Sequence, residues 1–213
     1  MAKKEKFLND QLRCVVAIDG TAASGKGTIA ELIAERFNFT YCQSSIFYRK
    51  LALSVLQASV NPNDVDAVLA ILNDARDSYG DIYSEDVTEI SSIIASIPEV
   101  RAGLYKAQRD FIDNNKRVVM EGRDIGTVIA PDADVKIYIT ADLSVRAQRR
   151  FQQMTAGGKD VTLAEVTESL SSRDLRDKNR AHAPLVAAPD AIVIDSSQMT
   201  PDEVIELLLV SLG

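Results

Sequence analysis

The residues most capable of chemistry lie near the start of the chain. Gly20, Thr21, Ala22, Ala23, Ser24, Gly25, Lys26, Gly27 and Thr28 form a run of small residues around one lysine. They nearly satisfy the spacing G-x-x-x-x-G-K-[ST], in which glycines let successive backbone N–H groups converge on one concavity. A helix beginning there adds partial positive charge and the lysine a full one, so the natural occupant is a polyphosphate. One position departs from the pattern. Gly27 stands where a hydroxyl is wanted, and Thr28 supplies it one residue later.

The second group is a set of arginines. In "LSVRAQRRFQQM" Arg146, Arg149 and Arg150 share one helical face, at a mutual cost of about 0.2–0.5 kcal/mol per like-charged pair. Something anionic should offset it. A small tip, "TAGGKD", follows, and then a helix start at Thr162, with Glu165 three residues on to complete a capping box. That helix carries Arg173, Arg176, Asp177 and Arg180, and i+4 spacing places Arg173 by Asp177. Alone, such a hairpin reads as a solvated face. Beside a phosphate loop, it suits a lid closing over polyphosphate.

Phosphoryl transfer rests on positioning and charge neutralisation. The chain offers guanidinium groups in number but hardly a general base. Its single histidine, His182, sits in a loop-like "AHAPL" and reads as a loop residue. A sugar hydroxyl needs proton removal, whereas a phosphate monoester, with a second pKa of about 6, is already ionised. The expected acceptor is therefore a phosphate.

These groups must be held by an α/β frame. Val15 to Ile18 form a β-branched run suited to a strand buried on both faces, and Ile29, Leu32, Ile33 and Phe37 mark a helical stripe after the loop. "FTYCQSS" predicts a short strand, and "IFYRKLALSVLQ" a helix capped by Ser44 or Ser45. "VDAVLAILNDA" predicts a helix and "DSYGDIY" a loop. Val87, Ile90, Ile94 and Ile97 mark another helix, and Pro98 opens one carrying Val100, Leu104, Ala107 and Phe111. "RVVME", "VKIYIT" and "AIVID" are strands, and "VIELLLVSL" is a core helix. This order implies a parallel sheet with helices on both faces, its ligands at the carboxyl ends of the strands, where the glycine loop and "EGRD" fall.

Composition sets the outer bounds. With 213 residues, 46% hydrophobic and 26% charged, the chain can bury a full core as one domain. Its net charge of −7 argues against nonspecific nucleic-acid binding. "MAKKEKFLNDQLR" lacks a signal peptide's apolar stretch and no segment is long enough to span a bilayer, so a cytoplasmic protein without a membrane partner is expected. Cys14 and Cys42 lack metal spacing and read as reduced, packed thiols. A monomer is the default.

The G-K-G-T ending resembles nucleoside monophosphate kinases. "DGTAASGKGT", "SSIFYR", "MEGRDIGTVIAPDADVKIYI", "RAQRR" and "RDLRDKNRAHAPLVAAPDAIVIDSS", in this order, closely resemble bacterial cytidylate kinases from about Val15 to Val210. The resemblance implies a P-loop α/β fold with a parallel five-stranded sheet, a monophosphate-binding insert and a lid. It places the core at about 14–43, 116–152 and 181–213, the insert at 44–115 and the lid at 153–180. It implies transfer of phosphate from ATP to CMP or dCMP with Mg2+. Gly20 to Thr28 would hold the ATP phosphates, with Lys26 on the transferring group, Thr28 near the magnesium and Arg149 reaching ATP from the lid. The monophosphate clamp falls on Ser44, Arg49, Arg123 and Arg180, and the ribose on Arg173 and Asp177. Base recognition falls on Ser92, Arg101 and Asp124. Cytosine offers an amino donor at N4 and acceptors at N3 and O2, which suits a carboxylate or hydroxyl with a guanidinium. Uracil would face Asp124 with an acceptor, a buried mismatch of about 1–3 kcal/mol per unsatisfied group.

Three positions depart from the family pattern. Gln43 stands where an aspartate is usual before Ser44, Ser45 where a glycine is usual after it, and Tyr83 where an arginine is often found; the stretch between Gln57 and Ser84 is also shorter than in long bacterial members. Two other functions are compatible with a phosphate loop. One is a kinase for another nucleotide or a metabolite hydroxyl. The other is a noncatalytic ATP-binding switch, which would give the arginines no task.

Overall fold

The apolar run after Arg13 becomes β1 (Cys14–Gly20), the middle strand of a five-stranded sheet ordered β2-β3-β1-β4-β5. In a computed structural model that describes residues 2–74 and 80–213, β1 runs parallel to β3 (Arg117–Gly122) and to β4 (Val135–Thr140). β4 in turn pairs in parallel with β5 (Ile192–Asp195), and β2 (Thr40–Gln43) lies at the other edge beside β3. The expected parallel five-stranded α/β sheet is present.

Strand alternation divides the inner residues between two faces. Cys14, Val16 and Ile18 of β1, Val119 of β3 and Val135, Ile137 and Ile139 of β4 enter one core with Ile29, Ala30 and Ile33 of α2 (Lys26–Phe37). Val204, Ile205 and Leu208 of α9 (Pro201–Ser211) complete that core, while Val210 of the same helix is exposed, so "VIELLLVSL" buries one face only. The alternate residues Val15, Ala17 and Asp19 share the opposite face of β1.

One element is absent from the sequence reading. Lys3–Leu8 form α1, whose only buried side chain is Phe7, packed 4.9 Å from Phe37 and 5.5 Å from Phe39 between ring centroids. Arg117 ties it to the chain around it. Its Nη1 donates to the carbonyls of Lys6 (3.1 Å), Asn9 (2.7 Å) and Leu12 (3.3 Å) and its Nη2 to those of Phe7 (2.6 Å) and Phe37 (3.2 Å), with the guanidinium 3.9 Å from the centre of the Phe39 ring.

The chain separates into two compact units, one of residues 1–42 and 115–213 and the other of residues 43–114. The second is helical. α3 (Ser45–Gln57) packs on α5 (Glu85–Ile94), and α4 (Val65–Asp74) packs on α3 and on α6 (Pro98–Asp113), around Tyr48, Leu51, Ala52, Val55, Val68, Val87, Ile94, Val100 and Leu104. Gly103 allows the α4–α6 approach, since a Cβ there would lie 2.5 Å from Leu72 Cδ2.

Three local readings change. The expected α6 stripe through Ala107 and Phe111 gives way to Val100, Leu104, Gln108 and Ile112. Successive steps of four keep the inner row, and the buried Gln108 amide is satisfied by donating to the Leu104 carbonyl at 3.3 Å. Ser44 precedes α3 but makes no side-chain capping bond, because its backbone is already right-handed helical (φ −59°, ψ −26°) and not extended as a cap requires, and Ser45 is the first helical residue. The "DSYGDIY" loop falls partly outside the described residues, and its remainder is irregular up to Ser84, whose hydroxyl caps α5 by accepting from the Val87 N–H.

α7 (Leu143–Ala156) and α8 (Leu163–Asn179) form the arginine-bearing hairpin, with Ala147, Val166 and Leu170 packed between them beside Leu143, Phe151 and Met154. The Thr162–Glu165 capping box forms as expected.

Candidate active site

The carboxyl end of β1 opens directly into the phosphate loop. Gly20 has φ +150°, and a Cβ there would sit 1.9 Å from the Ile139 carbonyl oxygen, so no other residue fits. Gly25, with φ +93°, ends the loop at the N-cap of α2. Between them Ser24 Oγ donates to the Thr21 carbonyl (3.0 Å), as does Lys26 Nζ (2.8 Å). The buried Thr21 Oγ1 has no hydrogen-bond partner, an orphan hydroxyl that a phosphate oxygen would satisfy.

Lys26 is 5% exposed, with Glu121 Oε2 at 4.0 Å. Burial and then the neighbouring Arg123 push its ammonium down to about 7, only partly opposed by Glu121. A bound polyphosphate would restore the charge. Glu121 ends the apolar run of β3 and was not among the residues singled out from the sequence. An acid closing a strand adjacent to the loop strand was the available signal.

Arg123 and Asp124 follow at the same end of the sheet. Arg123 Nε donates to Asp177 Oδ2 at 2.8 Å, so the carboxylate predicted to pair with Arg173 along its own helix is engaged by another element. Burial tends to raise the Asp177 carboxyl, but Arg123, Arg173 and Arg180 outweigh it and hold it below the usual range. These four residues thus share one field. Arg180 stands just beyond the last turn of α8 and is half-buried, while Arg176 is exposed.

The anion expected to offset the arginines of α7 is, for Arg146, a side chain. Arg146 Nη1 pairs with Asp174 Oδ2 of α8 at 2.7 Å, its Nε donates to the Ala141 carbonyl (2.8 Å) and its Nη1 also to that of Ala22 in the phosphate loop (3.1 Å). Arg149 donates through Nη2 to the Ser196 carbonyl (2.7 Å) and through Nη1 to Ser196 Oγ (3.3 Å), and that hydroxyl donates to the Ser24 carbonyl (3.0 Å). Arg150 turns to Gln153. Two of the three arginines therefore brace the loop, Arg146 directly and Arg149 through Ser196. His182 is exposed in a loop, and the thiols of Cys14 and Cys42 are free and buried, pushed up to about 11 mainly by burial.

Within residues 43–114 the sequence-predicted residues are spread over three helices, with Ser44 just before α3, Arg49 on α3, Ser92 on α5 and Arg101 on α6. Arg49 Nη1 donates to the Ile82 carbonyl and to Thr88 Oγ1, both at 2.9 Å, with its guanidinium 5.2 Å from the Tyr83 ring centre. Tyr83 Oη reaches Gln43 Oε1 at 3.5 Å, so two departures from the family pattern meet beside Arg49. Ser92 lies one helical turn after Thr88 on α5. Arg101 donates to the Ala95 carbonyl (3.0 Å) with its guanidinium 5.7 Å from the Tyr48 ring centre. Ser44 is buried.

The family model of cytidylate kinase matches residues 16–212. The chain belongs to the cytidylate kinase family. Two relatives named "Cytidylate kinase" illustrate the closeness. That of Rickettsia rickettsii (strain Sheila Smith) is 44% identical over 204 residues, covering 95% of this chain and 93% of its own length. That of Rickettsia canadensis (strain McKiel) is 43% identical over 207 residues, covering 97% and 95%. Among solved structures, a gluconokinase from Sinorhizobium meliloti 1021 has TM-score 0.53 at 12% identity, covering 94% of this chain and 92% of that one. An uncharacterized protein from Eubacterium ventriosum has TM-score 0.56 at 14% identity, covering 94% and 98%. Those two likenesses are of fold. Among the described residues no helix is long and apolar enough to cross a membrane.

Proposed function

We propose that this chain transfers the γ-phosphoryl group of ATP to CMP or dCMP, giving ADP and CDP or dCDP, in cytoplasmic pyrimidine nucleotide metabolism. The observation that carries this is the shared field of Arg123, Asp177, Arg173 and Arg180 at the strand ends beside Lys26. A polyphosphate and a phosphate monoester brought together repel, and those guanidinium groups oppose the repulsion. The relatives' name supports cytidine monophosphate as the acceptor.

In this reading Gly20 to Thr28 cradle the ATP phosphates and Lys26 holds the transferring group. The monophosphate is bound by Ser44, Arg49, Arg123 and Arg180, the ribose by Arg173 and Asp177, and the base by Ser92, Arg101 and Asp124. Arg149 serves ATP. The insert is 44–115 and the lid 153–180. The acceptor oxygen is ionised near neutral pH, so no side chain has to remove its proton. The oxygen donors at the loop suit a magnesium ion arriving on the nucleotide. Thr28 would hold it, in part through water. When bound, it would neutralise charge on the phosphates.

The test is a coupled ADP-release assay with ATP, Mg2+ and CMP, dCMP, UMP, AMP or GMP, beside Lys26→Met and Arg123→Ala. Turnover confined to CMP and dCMP and lost in both variants is expected. Equal turnover of UMP would refute the base assignment, and silence with every acceptor despite ATP binding would favour another acceptor or a switch.

A further inference from the structure

Asp19 is an unusual residue for the middle of a sheet. It is 4% exposed, sits on β1 between Gly122 and Tyr138 of the flanking strands, and forms no ion pair among the described residues. Strand alternation turns it away from the core that holds Val16 and Ile18. Its two oxygens instead take two consecutive backbone donors, the Ile125 N–H on Oδ1 and the Gly126 N–H on Oδ2, both at 2.7 Å. Those donors open the short π turn Ile125–Ile129 directly after Arg123 and Asp124.

The fit from the other side is equally close. A Cβ on Gly126 would lie 3.3 Å from Lys136 Cδ and 3.4 Å from Asp19 Oδ2, so a side chain there would press on both by a few tenths of an ångström. One residue beyond Asp19, Gly20 begins the phosphate loop, itself locked against Ile139. A carboxylate is the side chain that offers two adjacent N–H groups an acceptor oxygen each. An asparagine of the same shape presents one acceptor and turns an NH2 against the second donor.

We propose that Asp19 is a positioning residue for the acceptor nucleotide, fixing the Arg123–Asp124 segment relative to the phosphate loop by its paired bonds to the Ile125 and Gly126 N–H groups. This rests on the functional reading above, in which Arg123 holds the monophosphate and Asp124 the base. Asp19 itself touches neither. Burial holds its carboxyl up at about 6 in spite of both bonds, which is the cost expected of a carboxylate kept for geometry.

The experiment compares the parent protein, Asp19→Asn and Gly126→Ala in steady-state kinetics with CMP and UMP as acceptors. Asp19→Asn should raise the KM for CMP about tenfold, the scale of one spoiled buried hydrogen bond, and Gly126→Ala should raise it by less, with the KM for ATP within about twofold in both. The ratio of kcat/KM for CMP over UMP should fall in parallel. That ratio is independent of the fraction of folded enzyme, so mere destabilisation leaves it unchanged. Gly126→Ala crowds Asp19 Oδ2 and Lys136 Cδ by a few tenths of an ångström without altering the carboxylate, and supplies the same readout in smaller measure should Asp19→Asn not fold. An unchanged ratio, or equal changes in both KM values, overturns the proposal. No turnover of CMP by the parent protein would instead remove the functional reading, and this inference with it.

Discussion

The Arg146–Asp174 pair should behave as one energetic unit. Both side chains are nearly enclosed, 6% and 12% exposed, and the 2.7 Å contact joins α7 to α8. Removing one partner leaves the other as an uncompensated buried charge, at about 3–5 kcal/mol. Arg146→Met and Asp174→Leu should each lose that much, a large part of the roughly 5–15 kcal/mol that holds a domain folded. The double variant removes both charges and should not cost their sum. It still deprives the Ala22 and Ala141 carbonyls of a donor, so a residual loss of about 1–3 kcal/mol is expected. The coupling is then several kcal/mol, read as the difference between the double variant and the summed singles in urea unfolding followed by far-UV circular dichroism. Because Ala22 belongs to the phosphate loop, ATP should bind more weakly to every variant lacking Arg146, including the double, and normally to a folded Asp174→Leu. Additive losses, or ATP affinity unaffected by Arg146→Met, would refute the reasoning.

Two further outcomes follow from the same frame. Burial holds the folded Asp19 carboxyl at about 6, above its ordinary 3.8, so the folded protein binds the proton more tightly, and its contribution is full below pH 4 and lost as pH rises through 6. The stability of the parent protein relative to Asp19→Asn should therefore fall by on the order of 3 kcal/mol between pH 4 and 7; a flat difference in urea midpoints would contradict this. Gly25→Ala meets no atom within 4 Å and should remain soluble with a backbone cost of about 1 kcal/mol, whereas Gly20→Ala, 1.9 Å from a carbonyl, should not accumulate as folded protein. Comparable melting temperatures for the two would contradict the close approach.

Local pattern sufficed for much of this molecule. The β-branched run, the glycines and the helical stripe after them each carry their own signal, and together they place the phosphate loop at a strand end. Tertiary pairing carried no such signal. Asp177 could be read only along its own helix, yet Arg123, far away in sequence, takes it. Asp19, Glu121 and Arg146 acquire their tasks from neighbours on other strands and helices. A six-residue α1 with one buried side chain has too little periodicity to declare itself, and its carbonyls are satisfied by Arg117. In α6, Gln108 occupies an inner position because its own helix accepts its amide, which a count of apolar residues passes over.

The position of β1 also bears on how the protein is made. Of the strands of this sheet it is the first in the chain, yet both its partners, β3 and β4, lie beyond residue 116. About a hundred residues must be synthesised while this apolar strand has neither edge paired, a condition that invites association between nascent chains. Residues 43–114, by contrast, are contiguous and can complete their own core in the interval. Translation order thus leaves the phosphate loop without its sheet until the second half of the chain arrives.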